Sequence, residues 1–433
     1  MTDLTHVHSL SVRPSTSTTQ YGEHLADVAA AGRELNVAYV ISGDLASEHG
    51  KLKVTAKLTR VADDRVIWQG SVSAEPNEPI QLHDVLTRIL LNGMVAVLGG
   101  AETAAEIPTP HSQRAYDLFL RSVATPRDPG PNKFAIARLK ASVDEDPNYA
   151  PAWDELAWRY YLEAQYGTGD EEMYEKSEEA SARAAALDPN GIVQWARIQA
   201  EHGDLEGAYD VAKAQLLRRP DSARAHFEIM YVYRYAGLLD QAARECDALL
   251  ALDQNPGLRS CAKVFMYRGD YKRAAVFADL DGSSGWSARQ RMQFALRQKH
   301  EAEALILATI AVEGGYPDSE IIEVRLRSEP ATKLNVIAEK AERWATSRSD
   351  PEDKYEMAAM LAYAGQADRA MRILRQAIQK NYCATPMLES DPLLAPLRIR
   401  PDFQELRNLA AACQRNFLVH TGALTSETSS KPH

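Results

Sequence analysis

The sequence predicts an α+β multidomain chain: a small α/β N-terminal domain followed by an all-α superhelical solenoid. Three observations carry this. Lys51 to Arg60 alternates apolar and polar residues, the period of a half-buried strand. Beyond about residue 112 apolar residues recur instead at helical spacing. Along that second part a glycine before an acidic or polar residue and an alanine-rich stretch returns at Gly203, Gly237, Gly269 and Gly365. A recurring unit of this kind is the mark of an array of stacked helix pairs.

The N-terminal domain is placed at residues 1–99. Within Lys51 to Arg60, Leu52, Val54, Ala56 and Leu58 point one way. Asp63 and Asp64 supply a turn, and Val66, Trp68 and Val72 alternate again, so the two runs form a hairpin. Val37 to Ile41, stopped by Gly43, reads as an earlier strand. Ser9 to Arg13 reads as a first short strand, Tyr21 to Leu35 as a helix, and Ile80 to Leu98 as an amphipathic helix. The expected order is β-α-β-β-β-α. A linker at 100–111, rich in proline and small residues, ends the domain.

The solenoid is placed at 112–412 and a largely disordered tail at 413–433. Gly203 and Gly237 stand 34 residues apart, the length of one tetratricopeptide (TPR) unit. Glycine supplies the helix C-cap, and small alanines on the second helix let two helices approach closely. Trp153, Leu156, Ala157 and Tyr160, with Ala180 and Ala184, make one well-formed unit. Further units fall at 191–220, 223–254, 255–283, 285–315 and 351–382, whereas 316–350 has helical pattern without a clean repeat. The four cysteines, Cys246, Cys261, Cys383 and Cys413, form no C-x-x-C pair. They read as buried reduced thiols.

Several classes of function are set aside. The net charge of −11 disfavours nucleic-acid binding by this chain alone. No phosphate-loop, dinucleotide, zinc-protease or serine-hydrolase motif occurs, so no catalytic residue, cofactor or metal site is assigned and the chain reads as a non-enzyme. His6 and His8 lack a third ligand nearby. The most apolar stretch, Val85 to Gly99, is too short to span a bilayer, and no signal peptide is evident, so the expected location is the cytoplasm.

The expected working surface is the concave face lined by the first helix of each pair. It collects Trp158, Tyr161, Arg197, Arg224, Phe227, Tyr231, Arg234, Tyr235, Arg259, Lys263, Tyr267, Trp286 and Arg289. This groove is aromatic and basic in an acidic protein. Arginine and aromatic residues are enriched at binding hot spots. The expected partner is a protein or peptide, extended or helical, with carboxylates and apolar anchors. Oligomeric state is left open.

Ser9-Leu-Ser-Val-Arg-Pro, Ala30-Ala-Gly-Arg-Glu-Leu-Asn-Val-Ala-Tyr-Val-Ile-Ser-Gly-Asp-Leu and Val54-Thr-Ala-Lys-Leu-Thr-Arg-Val-Ala-Asp-Asp-Arg-Val-Ile-Trp resemble the TolB-like N-terminal domain. Ala115-Tyr-Asp-Leu-Phe-Leu-Arg and Asp391-Pro-Leu-Leu-Ala-Pro-Leu-Arg resemble the opening and closing segments of the TPR regions that follow it. That pairing occurs in CadC-type winged-helix transcriptional regulators and in some bacterial adenylate cyclases and kinases. The resemblance implies an interaction scaffold or sensory module of a bacterial signalling or transcription-regulatory system. The alternative it implies is a fragment of such a regulator, because the family domain normally begins with a further strand and helix ahead of the Ser-Val-Arg-Pro segment. On that reading the chain is N-terminally truncated and lacks the DNA-binding or catalytic head.

Overall fold

The computed structural model describes residues 27–75, 110–125, 129–167, 171–188, 195–252 and 259–424, with Arg13, Thr18, Tyr21, 85–87 and Ile89. The expected strand at Ser9–Arg13, apart from Arg13 itself, most of the helix at Ile80–Leu98 and His6 and His8 lie outside these residues. The chain divides into two compact units, 1–194 and 195–433. The division therefore falls inside the helical region, and each unit is built on its own core.

In the first unit, helix α1 (Val28–Glu34) is capped by the Asp27 carboxylate on the Ala30 amide. Three antiparallel strands follow in the order β1 (Tyr39–Glu48), β2 (Lys51–Arg60) and β3 (Arg65–Ala74). The second hairpin is the expected one, with Leu58 opposite Trp68 and Val54 opposite Val72. The first hairpin differs from expectation. Gly43 does not end a strand; it lies opposite Ala56 within β1, which runs on to Glu48. A Cβ on Gly43 would stand 3.0 Å from the Thr55 carbonyl oxygen, so here glycine admits close strand approach. The chain turns at His49 and Gly50, both with positive φ (51° and 80°), the two-residue hairpin loop whose twist matches that of the strands.

Among the described residues two helix pairs follow in this unit: α2 (Gln113–Val123) with α3 (Pro129–Glu145), and α4 (Ala150–Leu162) with α5 (Glu171–Leu187). Their core holds Tyr116, Leu139, Val143, Leu156, Ala157, Tyr160 and Ala180.

Among the described residues the second unit holds six helix pairs. They are α6 (Trp195–His202) with α7 (Leu205–Arg218), α8 (Ala223–Tyr235) with α9 (Leu239–Leu252), α10 (Cys261–Tyr267) with α11 (Tyr271–Asp279), α12 (Gly285–Arg297) with α13 (Glu301–Glu313), α14 (Pro317–Leu326) with α15 (Ala331–Ser347), and α16 (Pro351–Tyr363) with α17 (Ala367–Gln379). A short α18 (Thr385–Ser390), a 3-10 turn (Pro392–Leu397) and α19 (Pro401–His420) follow. Each pair turns on one residue of positive φ: Gly203, Gly237, Gly269, Lys299, Ser328 and Gly365. Such a residue ends a helix by satisfying its last carbonyls. The second helices pack through small buried residues such as Ala208, Ala242, Ala274, Ala304, Ala338 and Ala370. These are TPR-like helix pairs.

Three expectations are corrected here. Segment 316–350 is a complete pair, α14 with α15, obscured in the sequence by Ser328, which stands where four of the other five pairs have glycine. Residues 413–420 belong to α19 and are not part of a disordered tail; its apolar residues Phe403, Leu406, Ala410 and Phe417 are buried. The cysteines are not free thiols: Cys246 is bonded to Cys261 and Cys383 to Cys413. The Cα separations of 5.9 and 5.3 Å suit such bridges. Fifteen and thirty residues separate the partners in sequence, so no short-range motif announced them.

Candidate functional site: the inner face of the second unit

The first helices α6, α8, α10, α12 and α14 turn one face inward, and α16 fills the space they enclose. Nearly every residue of α16 is buried, including Glu352, Lys354, Tyr355, Glu356, Met357, Met360 and Leu361. A helix buried all round is normally apolar all round. This one carries charges, and each meets a partner.

Glu352 lies between Arg234 and Lys263. Arg234 approaches it through two nitrogens, at 2.8 and 3.0 Å, and the Lys263 ammonium lies 3.0 Å away. One helical turn on, Glu356 pairs with Lys263 at 3.0 Å and with Arg289 at 2.7 Å, and it accepts a hydrogen bond from the Tyr267 hydroxyl at 3.2 Å. The spacing of four residues puts both carboxylates on one side of α16. Arg289 also donates to Asp318 on α14 at 2.6 Å. Beyond this group, Arg297 and the Tyr355 hydroxyl both donate to Asp391, each at 2.7 Å. At the start of α16, Asp350 caps the helix on the Glu352 amide and accepts from the Tyr235 hydroxyl, each at 2.8 Å.

Burial penalises every charge here, and the neighbours decide which survive. Burial alone would raise the pKa of Glu356, but Lys263 and Arg289 overcome it and hold the group ionised, down to about 2. Asp350 has the opposite balance. Burial raises its pKa well above the usual carboxylate range, Asp353, Glu201 and Glu352 add to that, and Lys263 opposes them. Six residues apart on one short segment, two carboxyl groups are shifted in opposite directions by the charges around them.

The structure thus places the thirteen residues expected to line an open groove, and none of them is exposed. Arg234, Tyr235, Lys263, Tyr267 and Arg289 contact Asp350, Glu352 or Glu356 of the same chain. The Tyr231 hydroxyl donates to Glu201 at 2.6 Å, and the Arg234 guanidinium lies 4.2 Å from the centre of its ring. Arg197 lies 5.8 Å from the centre of the Phe227 ring. Arg259 pairs with Asp281 at 2.7 Å and covers Trp286. Arg224 is half-buried at the start of α8. In the first unit Trp158 stacks on Tyr161 at 5.2 Å. The expectation of an open groove centred on 224–267 is corrected: its residue chemistry is present, and a helix of the chain itself occupies it. Sequence reading did not assign Asp318, Asp350, Glu352, Glu356 or Asp391 to this face. A signal was available in Pro351–Tyr363, where charged residues interrupt a stretch with no continuous polar face.

Among the described residues no cluster of three or more His, Cys, Asp or Glu side chains is arranged to hold a metal ion. No helix among them is long and apolar enough to cross a membrane.

No family model matches the chain. A 123-residue stretch is 26% identical to a putative adenylate cyclase 3 from Rhizobium meliloti (strain 1021). That stretch is 28% of this chain and 21% of the cyclase, so the chain spans about a fifth of that relative. Among solved structures, the TPR domain of P58(IPK) covers 74% of this chain and is itself covered over 99% of its length, at 14% identity and a TM-score of 0.23.

Proposed function

We propose that the chain is a protein-interaction scaffold of a bacterial signalling or transcription-regulatory system, and that it binds rather than catalyses. Because α16 occupies the inner face, the partner is assigned to the outer surface of the second helices. The observation that carries this is α13. Its central stretch, ALILATIAV, is apolar around the helix except at Thr309, yet Ile306 and Ile310 are 65% and 43% exposed, in line with exposed Ala302. A helix apolar all round is ordinarily covered. Exposed Glu303 and Glu313 flank the stripe. The partner that fits is therefore an amphipathic helix with an apolar stripe bordered by Lys or Arg.

The double substitution Ile306→Asp and Ile310→Asp changes only exposed positions, where stability effects are about 0.5 kcal/mol or less. Cross-linking in cells that express the chain should recover a helical, basic-rimmed partner with the parent protein and lose it with the variant. Recovery of the same partner at the same yield from both proteins overturns the assignment. Formation of a cyclic nucleotide from ATP by the purified chain would overturn the non-enzymatic reading.

The likeness to part of a putative adenylate cyclase supports a second reading, in which this chain is the regulatory portion of a cyclase-type signalling protein. The TolB-like and CadC-type resemblance supports the same regulatory class from the sequence side.

The location proposed is an oxidising compartment instead of the cytoplasm. All four cysteines are paired, and structural disulfides persist where thiols are not kept reduced. Blocking and labelling thiols directly on extraction from cells should find all four cysteines unreactive. Four reactive thiols would return the protein to a reducing compartment.

A further inference from the structure

The two bridges of the second unit differ in setting. Cys246 and Cys261 are both wholly buried in its core. Cys383 is buried as well, but Cys413 is only half-buried. Cys383 sits in the connection after α17, and Cys413 on α19.

This bridge lies where the end of the unit closes on its beginning. The Asn381 side chain donates to the Gly203 carbonyl at 2.9 Å, in the turn between α6 and α7. The Cys383 amide donates to the Tyr235 carbonyl at 3.1 Å, and Gln414, next to Cys413, donates to the Ala236 carbonyl at 3.0 Å. Both latter contacts fall at the turn between α8 and α9. The backbones meet closely there. A Cβ on Gly203 would lie 2.6 Å from the Lys380 oxygen, and one on Gly237 would lie 2.5 Å from the Cys383 oxygen. Tyr382, beside the bridge, sets its ring edge-on to Tyr235 and its hydroxyl 3.4 Å from Glu352. The bridge therefore joins two parts of a strap, residues 380–384 and α19, that fastens the last pair to the first two and touches the inner ion pairs.

We propose that Cys383–Cys413 is a redox-sensitive clasp on this strap, closed when oxidised and opened by a dithiol reductant. Access directs the first attack to the Cys413 sulfur. The reductant's thiolate bonds to it, the protein S–S bond breaks, and Cys383 leaves as a thiolate that takes up a proton. The reductant's second thiol, losing its proton, then attacks its own sulfur in the mixed disulfide and releases Cys413, which is protonated in turn. Two electrons and two protons pass to the protein, and the reductant ends as a disulfide. With the clasp open, α19 and residues 380–384 separate from the first two turns, and the contact of Tyr382 with Tyr235 and Glu352 loosens. The Cys246–Cys261 bridge stays closed because neither sulfur can be reached.

The test is graded dithiothreitol on the full chain, with alkylation mapped by peptide mass and hydrogen exchange measured in parallel. Cys383 and Cys413 should become labelled at least about tenfold faster than Cys246 and Cys261. The reduced chain should stay folded, with faster exchange in 380–384, in 401–420 and at the turns near 203 and 237, and unchanged exchange in α12 and α13. A Cys383→Ser, Cys413→Ser variant should show the same exchange pattern without reductant. Reduction of both bridges at one rate overturns the proposal. Unfolding of the whole unit on reduction, or an exchange pattern that does not change, overturns it equally.

Discussion

Replacing Glu352 by alanine should destabilise the second unit by about 3–5 kcal/mol, the cost of removing one partner from a buried ion pair. Glu352 is 1% exposed and neutralises Arg234, which is fully buried. Glu352 meets Nε and Nη2 of the guanidinium; the Ser260 carbonyl, at 3.1 Å, and the Met230 sulfur accept from Nη1 and do not replace it. Lys263 is less affected because Glu356 lies 3.0 Å from it. The large effect comes from the stranded cation more than from the lost attraction. A second variant separates the two. Changing Arg234 and Glu352 together to leucine removes both charges, and most of the loss should be recovered, since buried pairs are often replaceable by apolar residues of similar volume. Exposed Glu339, paired with Arg343 one turn away, is the control, and its alanine variant should fall within about 0.5 kcal/mol of the parent. Urea unfolding followed by circular dichroism measures all three. It belongs at neutral pH: Glu356 is held ionised down to about 2, so its contribution is present above the unfolded carboxylate value and is lost as pH falls towards 2. A loss under about 1 kcal/mol for Glu352→Ala would mean that water or rearrangement compensates Arg234, and that the inner face is less closed than its burial indicates.

The sequence shows the helix pairs because their turns are local events. Where glycine supplies the positive φ, at 203, 237, 269 and 365, the repeat can be read directly. Where Lys299 or Ser328 takes that conformation the signal fades, although the backbone does the same thing. The inner-face residues are legible for a related reason, since position within a first helix fixes the side from which a side chain projects. What lies against them is not legible. Arg234 and Glu352 are separated by 118 positions, and no periodicity links them. A basic, aromatic face implies an acidic, apolar complement, and that inference holds chemically. Whether the complement comes from another molecule or from the same chain depends on how far the array curves back on itself, which no single repeat encodes. The cysteines behave alike: three of the four sit in apolar helical patterns, and only the packed structure brings Cys383 beside Cys413.

Arg159→Ala should cost the first unit about 3–5 kcal/mol, through lost charged hydrogen bonds and the cavity left by a large side chain. Arg159 projects from α4 and is wholly buried. One guanidinium nitrogen donates to the Ser122 and Thr125 carbonyls, each at 2.8 Å. Ser122 lies in the last turn of α2 and Thr125 two residues past its end, where a helix has no partners of its own for its last oxygens. A side chain of the second pair therefore caps the first helix of the preceding pair. Glu155, one turn earlier on α4, pairs with the guanidinium at 2.7 Å and fixes its direction. Alanine would leave the two carbonyls buried without this donor, and α2 would fray from its end. Lysine at this position retains a charge, but its single ammonium cannot stand both where Nη2 meets the two carbonyls and where Nε meets Glu155, so it should recover part of the loss. Hydrogen exchange gives the decisive measurement. Amides in 113–145 should exchange faster in Arg159→Ala, with those in 261–379 as the internal reference. A variant within about 1 kcal/mol of the parent, with unchanged protection in α2, would show that the end of α2 is capped by something other than Arg159.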